Sequence, residues 1–289
     1  MIGALVRSAR PLQWVKNGFV IVAPLFAKRL TEPDAITATA ATVGLFSLAA
    51  SGVYLLNDVR DRERDRAHPR KRLRPVASGE LSPAVAIAFA AVLVAVSVAG
   101  GVFLRPELGG ILALYVGIQM LYSWGLRQVV ILDLFCIMSG FVLRVLAGGV
   151  AVDVEVSSWL VLTTIFVSLF LALCKRRAEI EVLDGDTDGH RATLSEYDPH
   201  FLDQLIAVTT ASVVICYSLY TLDDRTVNEF GTKNLVFTVP FVIYGVFRYL
   251  FLVHRRQGGG SPANALLGDP WLAVNSLAWL LVTAAIVYG

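Results

Sequence analysis

Apolar runs of membrane-span length recur from one end of the chain to the other, separated by short polar breaks. A helix needs about 20 mostly apolar residues to cross the hydrocarbon core of a bilayer. The pattern predicts nine such helices, over about 14–30, 36–56, 83–103, 108–124, 130–150, 157–174, 206–222, 234–254 and 271–288. The breaks carry helix signals of their own. Ser82-Pro83 reads as an N-cap followed by proline in the first turn, opening the third span. Pro69 and Pro75 interrupt regular structure after the second span, and Pro24 and Pro33 punctuate the far end of the first. Residues 1–16 mix Arg7, Arg10, Trp14 and Lys16 with apolar positions, as expected of a short interfacial helix. Nine spans leave room for loops but not for a soluble domain, so residues 1–289 are expected to form one all-α integral membrane domain.

Composition agrees. The chain has 289 residues, of which 56% are hydrophobic, and a mean hydropathy of +0.64. That excludes an ordinary soluble enzyme and points to a polytopic membrane protein. The first span follows a short polar stretch and is expected to be retained rather than cleaved. Cys136, Cys174 and Cys216 lie within or at the ends of apolar runs without metal-ligand spacing, and read as small packing residues.

Net charge is only +2, but its distribution is informative. With the N-terminus inside and the spans alternating, 18 of the 25 Lys and Arg residues fall on the inner side and five on the outer. Arg144 and Arg248 fall within spans and complete the count. This asymmetry predicts N-inside, C-outside and an odd number of spans, in the plasma (inner) membrane. Polar residues concentrate in the inner loops after the second and sixth spans.

The richest chemistry lies at the end of the second span, in Asn57-Asp58-Val59-Arg60-Asp61-Arg62-Glu63-Arg64-Asp65. On a helix Asp58, Asp61 and Asp65 share a face at i, i+3 and i+7, and Asn57 joins Asp61 and Asp65 at i, i+4 and i+8. Clustered carboxylates repel unless a cation lies between them. Hard oxygen ligands suit Mg²⁺, which keeps several waters and bridges to substrate phosphates. The bland alternative is a solvated, salt-bridged helix end. Arg66, His68, Arg70, Lys71, Arg72 and Arg74 follow within the next nine residues, and guanidinium groups pair with phosphate oxygens. Alone, that stretch also reads as an anchor for anionic headgroups; beside the acids it suits a Mg²⁺-bound polyphosphate. Lys16, Asn17, Tyr122, Arg127, Asp133, Lys175, Arg176 and Glu179 are expected at the same depth, near the inner mouth. Arg144 is a charge inside a span and therefore a functional candidate, with a backbone carbonyl or a distant acid as its structural alternative. No nucleotide-binding loop, dinucleotide fingerprint or nucleophile elbow is present. His190 and His254 lack ligand-spaced partners, and nucleic acid is not an expected partner.

At these positions the chain resembles the UbiA superfamily of membrane transferases. The resemblance rests on Arg10-Pro11-x-Gln13-Trp14-x-Lys16-Asn17 and on Asn57-Asp58-x-x-Asp61-x-x-x-Asp65, and extends over the whole chain. It implies a nine-helix bundle with a site facing the cytoplasm. Most members move a prenyl group from a prenyl diphosphate and carry a second Asp-rich motif after the sixth helix. Here that place reads Lys175-Arg176-Arg177-Ala178-Glu179. With Asp65-Arg66-x-His68-Pro69-x-Lys71-Arg72-x-Arg74-Pro75 and Phe141-x-Leu143-Arg144-x-x-Ala147-Gly148-Gly149, the chain is most similar to the decaprenyl-phosphate phosphoribosyltransferase branch. Arg127 departs from that pattern, which has Lys there.

The resemblance implies transfer of 5-phosphoribosyl from phosphoribosyl pyrophosphate (PRPP) to a polyprenyl phosphate, releasing pyrophosphate, for arabinan precursors of the cell wall. In that reading Asp58, Asp61 and Asp65, with Asn57, hold Mg²⁺. Lys16, Asn17, Asn57, Arg66, Lys71, Arg72, Arg74, Tyr122, Arg127, Arg144, Lys175, Arg176 and Glu179 bind substrate. Asp184 and Asp188 have the spacing of a second metal motif, which keeps open a Mg²⁺-dependent prenyltransferase with an aromatic acceptor. A transporter or scaffold is the alternative of another class. Membrane lipids are expected partners, and a homo-oligomer is left open by the sequence.

Overall fold

The computed structural model describes residues 2–69, 71–183, 197–255, 265 and 268–289, and among these the secondary structure is entirely helical. Among the described residues seven helical segments are long and apolar enough to cross a membrane: Pro33–Arg60, Pro83–Leu104, Leu132–Ala151, Ser158–Ile180, Pro199–Leu222, Asn234–His254 and Pro270–Tyr288. They coincide with seven of the nine expected spans. The other two differ for readable reasons. The first expected span is broken into a 3₁₀ helix, Pro11–Gly18, a short α-helix, Phe19–Phe26, and a 3₁₀ turn, Arg29–Thr31. Pro24 lies inside the short helix and cannot donate to its ladder. The fourth is an unbroken helix, Pro106–Trp124, whose Glu107 and Gln119 dilute its apolar character.

The chain divides into two compact units, Met1–Val129 with Ser139–Glu155, and Val130–Met138 with Val156–Gly289. The first unit contains α1 (Ile2–Ala9), α2 (Phe19–Phe26), α3 (Pro33–Arg60), α4 (Arg62–Ala67), α5 (Pro75–Ser78), α6 (Pro83–Leu104), α7 (Pro106–Trp124) and most of α8 (Leu132–Ala151). Ser82 caps α6 as expected, its side chain accepting from the Val85 N–H at 3.3 Å. Val20, Phe46, Ala49, Ala50, Leu108, Leu112, Tyr115, Leu143 and Ala147 make one core cluster. Small residues set the helix spacing. A Cβ on Gly148 would stand 2.0 Å from the Val20 carbonyl oxygen, so α8 and α2 touch through backbone. A Cβ on Gly52 would come within 3.0 Å of the Ala90 carbonyl, where α3 crosses α6. Such close crossings suit membranes, where packing replaces the hydrophobic effect between helices. Val85, Ile87, Val92, Val96 and Phe103 project outward from α6, an apolar face suited to lipid.

The second unit holds α9 (Ser158–Leu183), α10 (Pro199–Leu222), α11 (Asp224–Phe230), α12 (Val239–His254) and α13 (Pro270–Tyr288). Its core joins Leu134, Phe170, Leu173, Leu202, Ile206 and Tyr249. Some of the polar groups inside it pair with one another, as a low-dielectric interior favours. Tyr217 and Thr238 share a hydrogen bond of 2.7 Å, and Trp279 donates to Tyr217 at 2.9 Å. The three cysteines are free and buried, in keeping with a packing role.

Candidate active site

The acidic segment continues the second span beyond its apolar part, as the pattern predicts. Asp61 joins α3 to α4, and the helical ladder runs on through it. The Asp61 N–H donates to the Asn57 carbonyl at 2.9 Å, and the Asp65 N–H to that of Asp61 at 2.7 Å. At 100° per residue, Asp58 and Asp65 differ by only about 20° around the axis, whereas Asp61 stands about 60° from Asp58. The side chains divide accordingly.

Asp58 and Asp65 form a pair. They are 1% and 3% exposed, and one arginine nitrogen links them. Arg74 Nη1 donates to Asp65 Oδ2 at 2.6 Å and to Asp58 Oδ1 at 3.2 Å. Arg10 Nη2 donates to the same Asp58 Oδ1. Asp58 Oδ2, although buried, has no hydrogen-bond partner. A buried bare carboxylate oxygen is expensive and calls for a cation or donor. Arg74 directly precedes Pro75 in the first turn of α5, whose Val76 and Ala77 are buried, so its backbone is fixed. Arg10 adopts a left-handed backbone (φ 53°, ψ 62°), which costs a non-glycine residue roughly 1–2 kcal/mol. That conformation is held by the Gln13 N–H donating to the Arg10 carbonyl at 2.9 Å and by Ser51 Oγ donating to the Ala9 carbonyl at 3.0 Å. Its guanidinium lies 5.0 Å from the centre of the Tyr54 ring, one helical turn before Asp58.

Asp61 is engaged by Arg127, whose Nη1 and Nη2 donate to its two oxygens at 2.8 and 2.7 Å. Burial alone would raise the Asp61 carboxyl. The fork from Arg127, with Arg60 and Arg64 nearby, outweighs burial and holds it below the usual carboxylate value. Among the described residues no three acidic, histidine or cysteine side chains are grouped to hold a metal between them. A site built on the Asp58–Asp65 pair would therefore be completed by water and phosphate, the habit of Mg²⁺.

Asn17 and Arg144 meet in the interior of this unit, where they are 1% and 5% exposed. Arg144 Nε donates to Asn17 Oδ1 at 2.8 Å, Nη1 to the Gly140 carbonyl at 2.6 Å and Nη2 to the Tyr115 hydroxyl at 3.2 Å. Phe46, Tyr115 and Phe141 surround the guanidinium at 5.3, 4.8 and 5.9 Å. Asn17 in turn donates to Ser47 at 2.8 Å, and Trp14 to Ser51 at 3.1 Å, so α3 pins the 3₁₀ helix that carries Lys16. Arg66 braces α4, donating to the Ala77 carbonyl at 3.0 Å and to Glu63 at 3.1 Å. Lys71 and Arg72 are exposed, while Lys16, Asn57 and Tyr122 are half-buried.

In the second unit, Arg176 is 2% exposed and donates to Asp133 Oδ2 at 2.9 Å and to Glu179 at 2.6 Å. The Tyr197 hydroxyl donates to Asp133 Oδ1 at 2.8 Å and accepts from the Ile131 N–H at 2.7 Å. Lys175 approaches Glu179 at 3.6 Å. Arg176 and Glu179 thus meet each other, in a network that ties the start of α8 to α9. Asp184 and Asp188 lie outside the described residues. Arg10, Tyr115 and Tyr197 were absent from the expected site. Arg10 alone carried a signal, its place in the Arg10-Pro11 motif.

The sequence profile of the UbiA prenyltransferase family matches residues 18–264. The chain belongs to this family. Among curated UbiA relatives, the decaprenyl-phosphate phosphoribosyltransferase of Mycobacterium tuberculosis is 35% identical, over 100% of this chain and 96% of its own length. The protein of that name from Corynebacterium glutamicum is 36% identical, over 98% of this chain and 86% of its own. Among solved structures, a UbiA homolog from Archaeoglobus fulgidus bound to GPP and Mg²⁺ superposes with a TM-score of 0.75 at 18% identity, covering 99% of this chain and 100% of that one. At that identity the likeness establishes the fold. The chain is thus a multi-pass membrane protein of UbiA fold.

Proposed function

We propose that this UbiA protein transfers the 5-phosphoribosyl group of PRPP to a polyprenyl phosphate, decaprenyl phosphate by its relatives' name, and releases pyrophosphate. The observation that carries the site is the buried Asp58–Asp65 pair, with one carboxylate oxygen bare and two arginines at its rim. Full-length relatives at 35% and 36% identity supply the substrate class. Asp58 and Asp65 would hold Mg²⁺, with Asp61 and Asn57 beside them on the same helical segment. Bound there, Mg²⁺ would neutralise the pyrophosphate leaving group. Arg10, Arg74 and Arg127 bring three guanidiniums to the same segment for phosphate oxygens. Lys16, Arg66, Lys71, Arg72, Tyr122 and Arg144, with Lys175, Arg176 and Glu179 of the second unit, remain proposed substrate contacts.

The chemistry asks for no general base. The bond from ribose C1 to the pyrophosphate oxygen breaks as the acceptor's phosphate oxygen bonds to C1. That phosphate is largely dianionic at neutral pH, its second pKa being about 6. The charge asymmetry supports nine crossings in the plasma membrane, with the N-terminus and the site facing the cytoplasm. The product would feed assembly of cell-wall arabinan. The whole chain would act as one domain.

The test supplies purified protein in detergent with labelled PRPP, decaprenyl phosphate and Mg²⁺, and measures label in the lipid fraction. Label is expected with the native chain, and its loss in Asp58→Asn. Transfer from a prenyl diphosphate to an aromatic acceptor, with none from PRPP, would establish the prenyltransferase alternative instead. Turnover undiminished in Asp58→Asn would remove the acid pair from the chemistry.

A further inference from the structure

Each member of the acid pair is neutralised from within the protein, and the neutralising groups differ from the acids in their access to water. Asp58 and Asp65 are buried, while the Arg10 and Arg74 side chains are 29% and 30% exposed. Two carboxylates face two guanidiniums, so a bare divalent cation would approach a pocket without net charge. Both arginines converge on Asp58 Oδ1, and Arg74 also spans to Asp65 Oδ2. Asp58 Oδ2 has no hydrogen-bond partner, and Arg74 reaches Asp65 through Oδ2. A cation at Asp58 Oδ2 alone would have a single protein ligand and two guanidiniums as neighbours. It gains the second carboxylate free of a competing guanidinium only when Arg74 lets go of Asp65 Oδ2. A guanidinium leaves a carboxylate at little cost when another oxyanion receives it, and the phosphate oxygens of a diphosphate do so in paired geometry. The backbones on either side are fixed. The Ser78 N–H donates to the Arg74 carbonyl at 2.9 Å, and the Arg10 carbonyl accepts from Gln13 at 2.9 Å. The exchange therefore requires side-chain rotation and nothing larger.

From this geometry we propose that Arg10 and Arg74 are exchangeable counter-ions. They occupy the acid pair in the empty protein and pass to the diphosphate when it arrives, so that divalent cation and diphosphate bind as one cooperative unit. The inference rests on the proposed cation site and adds an order to it: the cation alone binds weakly, the diphosphate alone binds weakly, and each strengthens the other by the same factor, as linkage requires. It also gives Arg10 a role in substrate binding. A free cytosolic cation would then not hold the site in the absence of donor.

The experiment uses the full chain in detergent, Mn²⁺ as a paramagnetic cation probe and inorganic pyrophosphate as the diphosphate. Free Mn²⁺ is followed by its resonance signal, and retention of radiolabelled pyrophosphate by immobilised protein is measured with and without Mn²⁺. Wild type is expected to retain pyrophosphate at least ~10-fold more tightly with Mn²⁺ present, about 1.4 kcal/mol of coupling. Arg74→Gln is expected to bind Mn²⁺ alone more tightly than wild type, because its competitor is gone, and to lose most of the mutual enhancement. Equal pyrophosphate retention with and without Mn²⁺, while Mn²⁺ alone binds tightly, overturns the exchange and leaves the cation site standing. Weaker Mn²⁺ binding in a well-folded Arg74→Gln also overturns it. Wild type that takes up neither Mn²⁺ alone nor Mn²⁺ with pyrophosphate removes the cation site itself. The wild-type comparison stands even if the variant does not fold.

Discussion

Replacing Arg144 by methionine probes the interior of the first unit most directly. The side chain has similar length, but charge and donors are lost. Two partners are affected: Asn17 Oδ1, in a residue 1% exposed, loses its donor at 2.8 Å, and the Tyr115 hydroxyl loses one at 3.2 Å. The Gly140 carbonyl still accepts within its own helix. Orphaning a buried acceptor costs about 1–3 kcal/mol, and a desolvated cation–π contact is worth up to about 2 kcal/mol. Against this, a neutral side chain avoids placing a charge in the membrane interior, roughly 2.5–3.5 kcal/mol on the insertion scale. The single variant therefore changes stability by a small net amount whose sign decides little. The pair with Asn17→Leu is decisive. Each single change leaves the facing atom of the other residue, Asn17 Oδ1 or Arg144 Nε, buried without its partner, whereas the double variant leaves neither. The expected coupling is about 1.5–3 kcal/mol, the range for a hydrogen bond to a charged group. Melting in detergent reads it, at roughly 2–4 °C per kcal/mol for chains somewhat shorter than this one. Additivity within about 0.5 kcal/mol would refute the reasoning, because distant independent sites behave that way.

Acid should separate wild type from Asp61→Asn. The Asp61 carboxyl is held below its ordinary value, so its pairing with Arg127 stabilises the protein fully at neutral pH and stops doing so as pH falls through the native value. The melting difference between the two proteins should shrink below about pH 4, near the unpaired carboxylate value, and a constant difference down to pH 3 would contradict the pairing. Gly148→Ala should destabilise by about 1–3 kcal/mol, since its Cβ meets the Val20 carbonyl at 2.0 Å. Gly44→Ala, with nothing within 4 Å, should leave the melting temperature unchanged or raise it slightly. Tyr197→Phe strips a donor from buried Asp133 and an acceptor from the Ile131 N–H, and a loss of about 1–3 kcal/mol by the same melting assay is expected.

Helix type and most of the spans were legible because apolar runs and punctuation by proline, serine and glycine are local signals. Ser82-Pro83 opens its helix as read, and the acidic segment extends the second span as read. Pro24 was visible, but the helix that contains it runs only over Phe19–Phe26, so the first span is broken on both sides of it. The acids were found, but their division was not. Periodicity placed Asp58, Asp61 and Asp65 on one broad face, and a 60° difference within that face let Arg127 claim Asp61. Partners far apart in sequence carry no periodic mark. Arg10 reaches Asp58 across 48 positions, Arg127 reaches Asp61 across 66, and Arg144 reaches Asn17 across 127. A charge inside a span announced that Arg144 matters; only three dimensions showed that an amide, a carbonyl and a ring of aromatics receive it.

The three native thiols are sequestered, at 7%, 0% and 8% exposure for Cys136, Cys174 and Cys216. The wild-type chain is thus nearly silent toward a membrane-impermeant maleimide. A cysteine introduced at an exposed position such as Arg72 or Glu107 becomes the dominant reactive group, so the sidedness of each connection is readable in intact cells without first building a cysteine-free background.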